Sequence, residues 1–270
     1  VSEAVHALGI PTTRALAVMT TGKTILRETQ QPAAVLVRTG PSHIRVGTFQ
    51  YARAHNDLEL LIRLTNYSLA RHYPELQPEN TGLGLLNQVV LRQAELIADW
   101  MHAGMIHGVM NTDNMTIAGH SIDFGPVAFL DGFDPGAVFS SIDYAGRYAY
   151  RNQPIVAEWN LARFAEALLP VIMHPGDEQV MDQDEAVTAA TEAVTTFRAA
   201  YSQAWGRRFR NRLGLGPDDD AAALGTQLLE HLQASSTDYT SFFANLAGVA
   251  TSGLIPANVA PELMEWYESW

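Results

Sequence analysis

The stretch HGVMNTDNMTIAGHSIDFGP, residues 107–126, decides how the chain reads. Helical periodicity stops here. Between His107 and Asp123 stand two carboxylates, Asp113 and Asp123, and two amides, Asn111 and Asn114. The segments MTIAG and HSID predict two short strands, a hairpin flanked by Asn114 and Asp123 that would bring their side chains together. Hard oxygen donors of this kind suit Mg²⁺, which takes one or two carboxylates and completes its shell with water and substrate phosphates. The same residues also fit plain turn chemistry, in which Asp and Asn bond the local backbone.

Working outward, RALAVMTT (14–21), KTILRE (23–28) and AAVLVRTG (33–40) predict three strands, divided at Gly22 and Pro32. SHIRVGTFQY (42–51) reads as a loop or short strand. Residues 56–73 space Leu58, Leu61, Ile62, Thr65 and Leu69 along one helical face. Residues 83–104 form a longer, more apolar helix closed by Gly104. Beyond the central stretch, PVAFLDGFDPGAVF predicts a strand and turn, followed by helices near 155–169, 184–213, 219–233, 238–248 and 258–270. The Asp run of PDDDAAAL is expected to cap a helix N-terminus. A β-rich start followed by helices makes the fold class α+β, a small sheet layered against a helical body.

The 270 residues are 47% hydrophobic and 17% charged, enough to bury a substantial core. Seventeen Lys and Arg against 29 Asp and Glu give a formal charge of −12, which argues against nucleic-acid or anionic-membrane partners. The absence of cysteine removes disulfides and thiolate metal sites. No apolar run approaches the roughly 20 residues that span a bilayer, so the expectation is a soluble, cytoplasmic protein. Both ends read as interrupted helices: VSEAVHALG opens in the last turns of one, and PELMEWYESW stops inside another. The sequence therefore reads as a piece of a larger protein.

The central stretch can be set against a protein kinase, whose metal is held by the Asp of Asp-Phe-Gly and by an Asn of the catalytic loop. Asp123, Phe124 and Gly125 supply the first element. Counting the kinase spacing His-x-Asp-x-x-x-x-Asn from His107 places the second at Asn114. The position of the kinase base, however, is Val109, which accepts no proton. Asp113 is the one nearby carboxylate able to take that place.

Four segments, SEAVHALGIPTTRAL, HGVMNTDNM, IDFGPVAFLDGFDP and GRYAYRNQPIVAEWNLARFAEAL, together resemble the selenoprotein O family, also called the YdiU type. The resemblance is dense to about residue 170 and looser beyond. It implies a protein-kinase-like fold, with residues 1–52 as the remainder of a β-rich N-lobe. Residues 53–270 would form a helical C-lobe carrying the catalytic loop and metal site at 107–136. The implied activity is transfer of AMP from Mg²⁺·ATP to Ser, Thr or Tyr hydroxyls of target proteins, with UMP from UTP and Mn²⁺ as a near variant. On this resemblance Asp113 matches the proton acceptor, and Asn114 and Asp123 match the metal ligands. Arg38 and Arg45 match ligands of the ATP phosphates, near which Asp123 also falls. The nucleotide is implied to bind flipped, with its α-phosphate facing the attacking hydroxyl.

The family's Gly-rich nucleotide loop, its strand Lys and the acidic partner of that Lys are expected before Val1, and Glu3 is not assigned that role. Residues 1–270 alone are accordingly expected to bind ATP weakly. An atypical kinase transferring the γ-phosphoryl and a non-catalytic pseudokinase are the alternatives. His107 is expected to anchor the loop through backbone carbonyls, Asp131 and Asp134 to organise a turn, and Trp100, Trp159 and Tyr201 to lie in the core.

Overall fold

The helix Thr81–Ala103 (α4 in chain order) is the axis of the molecule, described here from a computed structural model covering residues 1–175, 180–256 and 259–270. The Asn80 side chain accepts from the Leu83 N–H at one end, and Gly104, in left-handed backbone, ends it at the other. Between them Leu85, Leu86, Val89, Val90, Ala94, Ile97 and Trp100 are buried. Around α4 pack α5 (Gln153–Met173) and α6 (Gln183–Leu213), with α3 (Leu58–His72) alongside. Arg207 and Arg208 of α6 reach Glu95 and Asp99 of α4, fixing the rotation of one helix against the other. Three shorter helices, α7 (Ala221–Ala234), α8 (Tyr239–Ser252) and α9 (Pro261–Ser269), close the helical body. Asp220 caps α7 by accepting from the Ala223 N–H, as the Asp run predicts.

At the start, α1 (Ser2–Ala7) precedes a two-stranded antiparallel ribbon, β1 (Arg14–Leu26) and β2 (Gln30–Thr39). Two strands stand where the sequence predicts three. Gly22 does not separate strands; it lies in a bulge where four steps of β1, Thr20 to Thr24, face two of β2, Ala34 to Pro32. The turn comes instead at residues 27–29, where the Arg27 N–H donates to the Thr29 carbonyl. The loop or short strand expected at 42–51 is also corrected, because Val46–Ala54 forms a helix, α2, that buries Val46, Phe49 and Ala52. Glu3 pairs with Arg14 across α1 and β1, with Arg14 Nε at 2.9 Å from Glu3 Oε1.

Two further short strands, β3 (Met105–Ile106) and β4 (Ala128–Phe129), pair antiparallel directly after α4. The architecture is α+β, and no described helix is long and apolar enough to cross a membrane. Trp100 is buried and Tyr201 half-buried, but Trp159 is 43% exposed, against expectation. It projects from α5 with the guanidinium groups of Arg147 and Arg163 at 4.6 Å and 5.1 Å from its ring centre.

Candidate active site

Between β3 and β4 the chain runs for some twenty residues without a regular ladder, so its backbone groups need partners from elsewhere. The predicted MTIAG–HSID hairpin does not form as a pair of strands. The chain does reverse there, but the Thr116 hydroxyl closes the turn, donating to the His120 carbonyl at 2.8 Å and accepting from the His120 N–H at 3.1 Å. Its two arms then pair outward. Thr116 bridges to Arg45, with the Val46 N–H donating to the Met115 carbonyl. Ser121 bridges to Thr12, its N–H donating to Pro11.

Buried side chains satisfy the rest. The Gln93 amide of α4 donates to the Thr116 carbonyl at 2.6 Å, and the Tyr73 hydroxyl donates to Ile117 at 3.0 Å. From α5, Gln153 accepts from the His107 N–H through Oε1 and donates to the Met105 carbonyl through Nε2, both at 2.9 Å. One face two turns further along, Asn160 donates to the Met110 carbonyl at 2.9 Å. Sequence reading passed over Gln93, Gln153 and Asn160. Their signal was available, since each is a polar residue on an otherwise apolar helix face and each is wholly or almost wholly buried.

His107 and Val109, two residues apart, tie the two halves of the loop. His107 stacks on Trp100 at 5.1 Å and bonds the Ile122 carbonyl through Nε2 at 2.8 Å, the anchoring role expected of it. Burial holds this imidazole below its ordinary pKa, so it is neutral and donates that proton. The Val109 carbonyl accepts from Asn114 Nδ2 at 2.9 Å. Only the amide nitrogen can donate to a carbonyl, so this bond fixes the flip of Asn114 and leaves Oδ1 as a free acceptor. Between them Gly108 has φ +82°, and a Cβ there would fall 2.7 Å from Pro126 Cγ. The two segments of the loop thus cross at a glycine because nothing larger fits.

The candidate residues fall into two groups. Asp113 and Asn114 share one 3₁₀ turn, Thr112–Asn114, which packs on α2. Asp113 lies over Gly47 in the first turn of that helix, and Arg45 is the residue that begins it. Arg45 Nε is buried with no hydrogen-bond partner. In the second group, Asp123 is exposed and has φ +61°, a conformation uncommon for a residue with a side chain. Next to it Phe124 carries the Arg38 guanidinium at 6.0 Å from its ring centre. Asp134 organises its turn by accepting from the Gly136 N–H at 2.7 Å.

No three His, Asp or Glu side chains gather into a metal-binding cluster among the described residues. The donors present, one amide oxygen and one carboxylate, fit a divalent cation that draws its other ligands from water and nucleotide phosphates. An apolar groove of about 490 Å³ lies elsewhere, between α5 and α6, and none of the five candidate residues lines it.

The family model described as protein adenylyltransferase SelO matches residues 1–260. Proteins named protein nucleotidyltransferase YdiU are similar along the whole chain. That of Mycolicibacterium smegmatis is 52% identical and that of Pseudarthrobacter chlorophenolicus 50%, the chain covering 55% of each. That of Shouchella clausii is 48% identical, with 54% covered. The chain spans about half the length of the curated relatives it matches. With the model matching nearly every residue, the chain belongs to the SelO protein adenylyltransferase family.

Proposed function

We propose that this chain carries the catalytic loop of a kinase-like protein nucleotidyltransferase, which moves AMP from Mg²⁺·ATP to Ser, Thr or Tyr hydroxyls of target proteins. The observation that carries the reading is the division of labour at Val109, Asp113 and Asn114. The kinase base position contributes only a carbonyl, which orients Asn114. The neighbouring carboxylate, Asp113, directly precedes Asn114 and stands against α2. The proton acceptor has been relocated while the metal pair is kept, as expected if a different phosphorus is attacked.

In this reading Asn114 Oδ1 and the Asp123 carboxylate hold the cation, which neutralises phosphate charge and orients the triphosphate. Arg38 and Arg45 bind phosphate oxygens. The guanidinium of Arg38 is held by Phe124, and the unpartnered Nε of Arg45 is a donor in need of an acceptor. Asp113 takes the proton of the target hydroxyl as that oxygen bonds to the α-phosphorus. The bond from the α-phosphorus to its bridging oxygen breaks, and pyrophosphate leaves. The relatives' name, nucleotidyltransferase, leaves the base open, so UTP with Mn²⁺ belongs to the same reading.

The test is to incubate the full-length protein with α-³²P-ATP, γ-³²P-ATP and α-³²P-UTP in parallel. Label on protein from an α-phosphate alone is expected. Label from the γ-phosphate alone makes the protein a kinase. No label with either Mg²⁺ or Mn²⁺ makes it a pseudokinase.

A further inference from the structure

The Asp113 carboxylate does not stand free in its loop. It lies over the first turn of α2, where Gly47 is the second residue after Arg45. A Cβ built on Gly47 would fall 2.1 Å from Asp113 Oδ1 and 3.1 Å from its Cγ, and the three nearest atoms all belong to Asp113. The backbone of Gly47 is not in the left-handed region, so conformation does not require glycine there. Helix propensity disfavours it, since alanine is the better helix former. What the missing side chain accommodates is the carboxylate. The place it leaves is chemically apt, because the first turn of a helix presents N–H groups without intrahelical partners and favours negative charge.

We propose that Gly47 is a positioning residue for the transfer reaction, setting where the Asp113 carboxylate stands; this rests on reading Asp113 as the proton acceptor. A methyl group at 47 drives Oδ1 away. The Asp113 Cα, 3.5 Å from the added carbon, stays in ordinary contact, so the loop backbone keeps its path. Asn114, held by Val109, keeps its orientation. The α2 start therefore couples two functions, because the helix that Arg45 opens also seats the proton acceptor.

The experiment compares Gly47→Ala, Asp113→Ala and the double variant in the full-length protein, reading kcat and KM for transfer of α-³²P label, ATP affinity and Tm. Gly47→Ala is expected to lower kcat by roughly 10²-fold, the cost of a misplaced reacting group, with KM and ATP affinity unchanged. Its Tm is expected to hold or rise. Added to Asp113→Ala it should cause no further loss, since the group it displaces is already gone. Normal kcat in Gly47→Ala beside an impaired Asp113→Ala overturns the role of Gly47 alone. An equal fractional loss in both backgrounds with a lowered Tm makes Gly47 a structural glycine and also overturns it. Full activity of Asp113→Ala overturns the proton-acceptor reading beneath it.

Discussion

Replacing Gln153 by Leu removes the clamp on the start of the candidate catalytic loop while leaving the candidate site residues untouched. Gln153 is fully buried at the first turn of α5, and its amide accepts from the His107 N–H and donates to the Met105 carbonyl. Leucine has nearly the same volume, so the cavity left is small, and the cost comes from polar groups that lose partners. An orphaned buried N–H costs about 1–3 kcal/mol and an unmade bond to a carbonyl about 1 kcal/mol, so stability should fall by about 2–4 kcal/mol. Urea denaturation followed by far-UV circular dichroism measures this directly, with the m-value reporting whether the unfolding unit is unchanged. The same variant frees the His107 backbone, two residues before the carbonyl that orients Asn114, so label transfer should fall as well. A stability loss below about 0.5 kcal/mol would show that the loop finds other partners and that the clamp is idle.

Asp123→Ala should abolish label transfer by removing a cation ligand, while Asp113→Ala should slow it by on the order of 10²–10⁴-fold with nucleotide binding kept; normal activity of the former refutes the site. Gly108→Ala should cost about 1–3 kcal/mol in urea, because its φ of +82° and the 2.7 Å approach to Pro126 both resist a side chain. Burial, followed by Arg212 and Arg208, lowers the pKa of His102 to about 3; burial, followed by His43 and His72, lowers that of His120 to about 4. Both therefore stay neutral in the fold while the unfolded chain protonates near 6.5. Stability is full above that pH and declines as pH falls toward 4. At pH 5 each contributes a loss of up to about 2 kcal/mol, which His120→Gln should reduce; a flat pH profile in the parent protein would refute it.

What could be read in advance follows from how local each signal is. The helix at α4 was legible because its apolar spacing and both of its ends, Asn80 and Gly104, lie within one window. The helix at α2 was not, because Val46, Gly47 and Thr48 are poor helix formers, and its buried face is set by contacts with α5 and the loop. In the ribbon, Gly22 announced a break in regularity, but a bulge and a turn ask the same thing of a glycine. The candidate site divides in the same way. Asn114 and Asp123 are found by counting, since both lie in one contiguous stretch. The meeting of Asp113 with Gly47 and of Arg38 with Phe124 joins residues more than sixty positions apart, and no local pattern carries it.

A loop without a ladder cannot hold its own geometry, and here its polar backbone is held by side chains of Gln93, Tyr73, Gln153 and Asn160. Each of these side chains rises from the buried face of a helix, or from a helix end, so the path of the loop that carries Asn114 is set by the packing of α4 and α5. The geometry of the candidate site and core stability are then coupled through a few buried amides. A substitution at Asn160, which donates to the Met110 carbonyl from within α5, should therefore lower both stability and transfer without touching nucleotide or target.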